Sequence, residues 1–325
     1  MKRFPFTLSI IVLFIATTSF VKWGFFGHRL INRVAVFTLP SEMIGFYKHH
    51  IQYITENAVN PDRRRYAVKE EAPRHYIDLD IYGDSAVYKV PRYWKDAVAA
   101  YSEDTLQAYG IVPWHINRVR YQLTDALKVG DVSNILRLSA DIGHYIADAN
   151  VPLHTTENYN GQFTDQYGIH GFWESRLPEL FSNNYDLFTG KASYIENPQI
   201  RIWETITQAH LGLDSVLAFE KKLSIEIKQD KQYEISQRGQ SNIKTYSSNY
   251  SKAYHESLDG MVERQMKASI KLVGDMWFTC WVDAGQPNLD SLMSYQFTEE
   301  ELKQRKEELQ RWKEANIYNN RTHEH

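Results

Sequence analysis

Hydrophobic residues recur along most of the chain at the three- and four-residue spacing of amphipathic helices, and strand-like alternation is scarce. The stretch 131–150 shows this best, because Asp131 suits a helix N-cap and Pro152 follows the end. Its apolar face is formed by Ile135, Leu138, Ile142 and Ile146. The same periodicity predicts helices over residues 28–58, 92–109, 114–129, 198–227 and 254–283. The pattern therefore predicts an all-α fold.

Two segments depart from this pattern. Residues 229–250 are rich in Gln, Ser, Asn and Lys, and this composition predicts a mobile surface loop. Thr298 and Glu301 form a capping-box pattern ahead of a run that is more charged than apolar. We therefore expect residues 288–325 to be a C-terminal helical extension that is solvated and weakly docked.

The N-terminus has the pattern of an export signal. Lys2 and Arg3 precede a mostly apolar run over residues 4–21, which predicts a signal peptide at 1–22 with cleavage after residue 19 or 22. An uncleaved membrane anchor is the alternative, since the run approaches the ~20 residues that span a bilayer. Interspersed Pro, Ser and Thr residues disfavour the anchor. We expect an exported protein, periplasmic or secreted.

Composition limits the chemistry. With 325 residues, 43% of them hydrophobic, the chain can bury a full core, which excludes a disordered or fibrous protein. The 37 basic and 40 acidic residues give a net charge of −3, so a polyanion must be attracted locally rather than by a long-range field. Cys280 is the only cysteine, which excludes an internal disulfide and a Cys-rich zinc motif. Metal ligands must be His, Asp or Glu.

Candidate ligands concentrate between residues 144 and 174. In two pairs a histidine and a carboxylate stand four residues apart, so that each pair shares a helical face: His144 with Asp148, and His170 with Glu174. Helices present zinc ligands in this way. His154 lies between the pairs. The upstream candidates are Asp62 in NPDRRRY and His75 in PRHYIDLD.

Three motifs in order carry a family resemblance. They are WGFFGH at 23–28, the paired D…HYID at 62–78, and the H-xxx-D-x5-H…H-xxx-E array at 144–174. Over residues 23–287 the chain resembles the zinc-dependent phospholipases C and the single-strand-specific zinc nucleases of the S-one and P-one type. The resemblance implies a multi-helix bundle with a trinuclear zinc cleft.

The resemblance also implies a ligand set. One zinc would be held by Asp62, His75, His144 and Asp148, and a second by His154, His170 and Glu174. A third would be held by Asp148 as a bridging ligand, by His28, and by the main-chain nitrogen and oxygen of Trp23. In the family that Trp is the mature N-terminus, whereas cleavage after Ser19 would leave three residues ahead of Trp23. Lys22 is a poor residue before a cleavage site, so the third zinc is in doubt.

Clustered zinc ions would activate a water and neutralise charge building on phosphorus, and the resemblance implies that Asp62 and Asp148 are catalytic residues. The resemblance therefore implies a zinc-dependent phosphodiesterase. Trp23 and His28 have the nuclease spacing, and Arg65 falls where the nucleases contact the scissile phosphate. Tyr76 and Asp78 fall where they stack on and hydrogen-bond to an unpaired base. These features favour single-stranded DNA or RNA as substrate.

Other features favour a phospholipase C. Glu174 in place of Asp, and the short interval between His154 and His170, resemble that branch. Arg63 and Ala72, however, stand where choline-binding aromatic residues would be expected, and a guanidinium would repel choline. A third alternative is a non-catalytic zinc-binding protein, which predicts a missing ligand or a blocked cleft. No obligate protein partner is implied, and a monomer is expected.

Overall fold

The computed structural model of this chain describes residues 25–238 and 241–315. The predicted signal peptide at 1–22, the proposed ligand Trp23 and the last ten residues lie outside the described residues. Among the helices that the structure describes, none is both long enough and apolar enough to cross a membrane.

The predicted all-α class is confirmed, because 70% of the chain is helical and 3% is strand. The α-helices are α1 (Phe25–Ala35), α2 (Ser41–His49), α3 (Ile51–Asn57), α4 (Asn60–Arg64), α5 (Ala86–Lys89), α6 (Trp94–Tyr101), α7 (Glu103–Tyr109), α8 (Val112–Val129), α9 (Val132–Asp148), α10 (Ile169–Gly171), α11 (Leu177–Phe181), α12 (Pro198–Leu211), α13 (Leu213–Glu226), α14 (Gln229–Gln232), α15 (Ser248–Ser257), α16 (Met261–Asp283) and α17 (Glu299–Glu314). The strands are β1 (Tyr233–Arg238) and β2 (Ser241–Tyr246).

Shorter helical turns join these elements. The 3-10 turns are Val36–Thr38, Ala72–His75, Leu79–Tyr82, Pro152–Thr155, Ser182–Asn184 and Asp290–Leu292, and Phe172–Arg176 forms a π-helical turn. The predicted helix over 131–150 is confirmed, with the Asp131 carboxylate accepting from the backbone N–H of Asn134 at the N-terminus of α9. The longer predicted stretches are divided. For example, Ser102, at φ 69°, separates α6 from α7.

Helix α9 lies at the centre of the core, between α8, α16, α1 and α3. Nearly all of its residues from Ile135 onward are buried. Polar contacts fix it as well, since Ser139 accepts from the Trp277 indole with its carbonyl and exchanges a hydrogen bond with the Tyr47 hydroxyl. The helix that carries the predicted ligands His144 and Asp148 is therefore held in place by packing and by hydrogen bonds.

Helices α1 and α9 meet at a glycine. A Cβ atom at Gly143 would lie 2.0 Å from Oδ1 of Asn32, which is fully buried. The Asn32 amide donates to the Ala140 carbonyl across the same contact, at 3.0 Å. Only a residue without a side chain permits this approach. The contact fixes the spacing between His28 on α1 and His144 on α9.

The predicted loop over 229–250 is wrong. The segment contains α14, the antiparallel hairpin β1–β2 and the start of α15, with Tyr233 opposite Tyr246. The Tyr246 ring stacks on Phe172, with centroids 3.8 Å apart and an interplanar angle of 10°. A few tyrosines thus anchor an otherwise polar hairpin, and tertiary packing overrides the local composition.

The predicted C-terminal helix is confirmed as α17, with both hydrogen bonds of the Thr298–Glu301 capping box present. None of its residues is buried, as expected for a solvated helix. It nevertheless reaches α4, where the Arg64 guanidinium lies over the Trp312 ring, 5.6 Å from its centroid. The extension therefore contacts the helix that carries Asp62.

Candidate metal centre

Eight predicted side-chain ligands converge in the described part of the chain. They form three buried or half-buried groups in which the ligand atoms lie within 4.8 Å of one another. The groups are Asp62, His75 and His144; His154, His170 and Glu174; and His28, His144 and Asp148. These residues come from α1, α4, α9, α10 and three short helical turns, so the fold assembles ligands distant in sequence.

The first group surrounds the C-terminal end of α9. Nδ1 of His75 lies 2.9 Å from Oδ2 of Asp148 and 3.9 Å from Oδ1 of Asp62. Nε2 of His144 lies 3.3 Å from the same Asp148 oxygen, 3.8 Å from Asp62 and 3.1 Å from Nδ1 of His75. Two nitrogens and two carboxylates thus face one point.

The second group is built on the segment that follows α9. Nε2 of His170 lies 2.7 Å from Oε2 of Glu174, and Nε2 of His154 lies 3.3 Å from the same oxygen. Glu174 sits in the π-helical turn. Such turns occur frequently at functional sites.

His28 joins the two groups. Its Nε2 lies 3.5 Å from Oδ1 of Asp148 and 3.2 Å from Oε1 of Glu174. Its ring stacks on His144 with centroids 3.9 Å apart. Asp148 and Glu174 therefore each point one carboxylate oxygen at His28. The other oxygen of Asp148 faces His75 and His144, which suits a bridging role for Asp148. The other oxygen of Glu174 faces His154 and His170, so its contact with His28 was not expected.

Backbone carbonyls orient three of the imidazoles. The carbonyls of Ala58, His75 and Tyr159 lie 2.8, 2.6 and 3.2 Å from Nδ1 of His144, His154 and His170, respectively. If each Nδ1 donates to its carbonyl, each Nε2 has a lone pair that faces the cluster. Metal-ligating histidines are commonly oriented by this arrangement.

Burial and charge act against each other in the cluster. Burial alone would raise the pKa of Asp148 and Glu174, yet the neighbouring imidazoles hold the pKa of both carboxyls well below its usual range. Burial opposes the charge on His144 and His154, but nearby carboxylates, Asp148 foremost, raise the pKa of each to about 9. Without a metal ion, protons on these imidazoles would balance the carboxylates.

The donor set fits a borderline divalent cation. It combines imidazole nitrogens with carboxylate oxygens and contains no thiolate, in surroundings where unpaired carboxylates are costly. These buried groups could therefore hold a metal ion. His49, His115, His210 and His255 belong to none of the three groups.

Glu71 was not among the predicted site residues. This carboxylate is fully buried, pairs with Arg64 and Arg74, and lies 3.8 Å from Nε2 of His75. Burial would raise its pKa, but Arg64 is the main cause that lowers the pKa to about 2. Glu71 therefore places a fixed negative charge on the far side of His75. Its four-residue spacing from His75 was the available signal.

The predicted substrate residues divide into two classes. Arg65 and Tyr76 line a cavity beside the metal cluster, together with His75, His154 and His170. Nη1 of Arg65 lies 3.6 Å from Asp62, and its Nη2 donates to the Tyr66 hydroxyl at 3.1 Å.

Gly110 positions Tyr76. At φ 97°, a Cβ on Gly110 would lie 2.5 Å from Cδ2 of Tyr76, so this backbone forms one wall around the aromatic ring. Asp78, in contrast, is fully buried and is not among the residues that line the cavity. The structure thus brings Tyr76 to the cleft and does not bring Asp78 there.

No protein-family model matches this chain, and no curated protein matches it. The family resemblance therefore depends on the three sequence motifs and on the geometry of the residues that they contain.

Proposed function

We propose that this protein is an exported zinc-dependent phosphodiester hydrolase that cleaves single-stranded DNA or RNA as an endonuclease. The observation that carries the proposal is the convergence of five histidines and three carboxylates beside a cavity that also contains Arg65. The finer fold assignment, a bundle with a trinuclear zinc cleft, belongs to the same proposal.

The ligand assignment follows the three groups. Asp62, His75, His144 and Asp148 would hold one zinc, and a second would be held by His154, His170 and Glu174. His28 and Asp148, with the backbone of Trp23, would hold the third. Zinc bound there would supply an activated water and positive charge near the phosphate.

The chain's own groups have separate tasks. Arg65 is held by Asp62 and Tyr66 at the cavity wall, where its guanidinium can donate charge-assisted hydrogen bonds to a phosphate oxygen. Tyr76 is half-buried, with Gly110 against its ring, and can stack on an unpaired base. Carbonyl contacts at His144, His154 and His170 hold their rings in one orientation.

The alternative is a phospholipase C-type hydrolase of phospholipid head groups. Glu174 and the short interval between His154 and His170 favour it, whereas Arg63 in place of an aromatic residue disfavours choline recognition. A non-catalytic zinc-binding protein is disfavoured, because every predicted side-chain ligand is present in the cluster.

A side-by-side assay of the zinc-loaded protein on single-stranded DNA, RNA and phosphatidylcholine separates these functions. We expect hydrolysis of the nucleic acids. Arg65→Ala should lower turnover roughly 10²–10³-fold, as for loss of one preorganised donor, with unchanged zinc content. Tyr76→Ala should weaken binding of single-stranded DNA by about 1–3 kcal/mol.

The two substitutions also show how the proposal fails. A Tyr76→Ala variant with an unchanged Michaelis constant for single-stranded DNA and impaired phospholipid hydrolysis would favour the lipase. N-terminal sequencing of the exported protein determines the terminus, and a mature chain that starts at Trp23 with three tightly held zincs would support the full family arrangement.

A further inference from the structure

Three consecutive arginines follow the proposed ligand Asp62 at the end of α4. Successive helical residues point about 100° apart, so their side chains enter different surroundings. Arg64 points inward and pairs with Glu71 and Asp141 at 3.1 Å each. Arg65 faces Asp62 in the cleft. Both guanidinium groups therefore have a carboxylate within ion-pair distance.

Arg63 has different surroundings. Its guanidinium carbon lies 5.4 Å from the ring centroid of Phe25, and that of Arg29 lies 5.8 Å from the same ring. Phe25 is 9% exposed, and both arginines are half-buried. Two cations from two helices therefore converge on one aromatic ring.

Neither of these arginines forms an ion pair within the described residues. Arg63 donates one hydrogen bond, from Nη1 to Oδ1 of Asn60 at 3.0 Å. The Nε atoms of Arg63 and Arg29 are buried and have no hydrogen-bond partner.

The pair lies at the edge of the metal centre. Arg29 directly follows His28, and Arg63 directly follows Asp62, so both are one residue from a proposed ligand. Two half-buried guanidinium groups on one aromatic ring repel each other, and a bound anion would offset that repulsion. Guanidinium groups match phosphate oxygens in geometry as well as in charge.

We propose that Arg29 and Arg63 form a second phosphate subsite, which binds a phosphate other than the one being hydrolysed. The inference rests on the proposed function and narrows its substrate. A chain of phosphodiesters offers a neighbouring phosphate to this subsite. Phosphatidylcholine has a single phosphate, which would lie at Arg65 and the metal cluster and leave the subsite empty. The subsite therefore selects a polynucleotide.

The test compares a substrate with one phosphodiester, bis(p-nitrophenyl) phosphate, with a single-stranded oligothymidylate of eight nucleotides. The variants are Arg29→Gln, Arg63→Gln and the double variant, and the matched control is Arg118→Gln, an exposed arginine on α8. We expect the double variant to raise KM for the oligonucleotide roughly 10-fold or more, as for the loss of a hydrogen bond to a charged group. Its kinetics on bis(p-nitrophenyl) phosphate should equal those of the parent and the control.

A binding measurement makes the inference independent of turnover. Fluorescence anisotropy with a phosphorothioate oligothymidylate should show at least a roughly 10-fold weaker Kd for the double variant. The dependence of log K on log salt should decrease by about 0.7 for each lost phosphate contact. Arg63→Lys, which keeps the charge without the planar fork, should recover part of the affinity and excludes a simple folding defect.

The outcomes separate the two proposals. If the parent cleaves no nucleic acid but binds the oligonucleotide through these arginines, the proposed function fails and the subsite remains. Equal losses on both substrates would overturn the subsite, because the arginines would then act on the metal centre itself. Unchanged KM and Kd in the double variant, or a parent that does not bind the oligonucleotide, would also overturn it.

Discussion

Six of the eight side-chain ligands of the candidate metal centre fall into two parts that are supported in different ways. The α9 half, formed by His144 and Asp148 with His28, rests on a continuous helix of 17 residues and on its contact with α1. The loop half, formed by His154, His170 and Glu174, rests on three helical turns of three to five residues each. Regular helix packing fixes the first half, and irregular local structure fixes the second.

Side-chain contacts replace regular packing in the loop half. The Gln166 amide donates to the Glu220 carboxylate and, at 2.9 Å, to the Leu217 carbonyl. Phe172, two residues before Glu174, stacks on Tyr246 of the hairpin. We therefore expect the α9 half to keep its geometry without a metal ion, and the loop half to depend on a bound metal as well as on these side-chain contacts.

Metal removal should have the largest effect. Exhaustive chelation should abolish hydrolysis and lower the melting temperature, because the clustered carboxylates and imidazoles lose the cation that binds them together. Hydrogen exchange should accelerate more over residues 152–176 than over α9. Equal acceleration in the two segments would refute the difference between the halves, and unchanged stability and activity would refute the metal site.

Single ligand substitutions should sharpen the comparison. Asp148→Ala should lose more metal than His170→Ala, because the two Asp148 oxygens face different groups. Both variants should be inactive, as should His144→Ala. Mass spectrometry of the purified proteins measures the zinc content, with His49→Ala, an exposed histidine, as the control. An equal number of zinc ions per protein in Asp148→Ala and His170→Ala would contradict the bridging role of Asp148.

A clash at Gly143 should affect the α9 half alone. Gly143→Ala places a methyl group against buried Asn32 and should destabilise the protein by about 1–3 kcal/mol, as overpacking does. Gly45→Ala, at an exposed position of α2, is the matched control. Its Cβ would have no neighbour closer than 3.6 Å, so it should be neutral or stabilising. Urea denaturation of both variants measures the difference, and equal stability would show that α1 can retreat from α9.

The smallest effect concerns pH. The pKa of His144 and of His154 is raised to about 9 from 6.5, so the metal-free protein binds more protons than its unfolded chain between these values. Their stabilisation is complete below pH 6.5 and is lost as the pH rises to 9. Burial lowers the pKa of His75 and His170, so the effect of their titration on stability falls below pH 6.5.

The melting temperature of the chelated protein should accordingly fall between pH 6.5 and 9, and that of the zinc-loaded protein should not. His144→Gln and His154→Gln should each remove part of this slope, one from each half. A flat profile for the chelated parent would show that protons do not replace the metal at these imidazoles.

The α9 half could be predicted from sequence because its signals are local. A four-residue spacing on a well-capped amphipathic helix specifies both the helix and the shared face of His144 and Asp148. The loop half was predicted only as a set of ligands. Its backbone path depends on Gln166, Phe172 and their distant partners, and no periodic pattern records such contacts.

The hairpin and Asp78 also depend on contacts between residues that are distant in sequence. Polar composition predicted a loop where tyrosine stacking stabilises β1 and β2, because the partner surface comes from another part of the chain. Motif position placed Asp78 beside Tyr76, yet alternate residues in the extended stretch have different exposure, and Asp78 is fully buried. The role of Asp78 in substrate binding stays a prediction.

The glycine contact between α1 and α9 also bears on the choice of ion. Because the buried Asn32 side chain of α1 packs directly against Gly143 of α9, we expect the separation of His28 and His144 to change little with ionic radius. A larger cation such as Cd²⁺ would have to be accommodated by movement of His154, His170 and Glu174. The range of ionic radii that the centre accepts would then be set by its irregular segment. The spacing of α1 and α9 would stay constant.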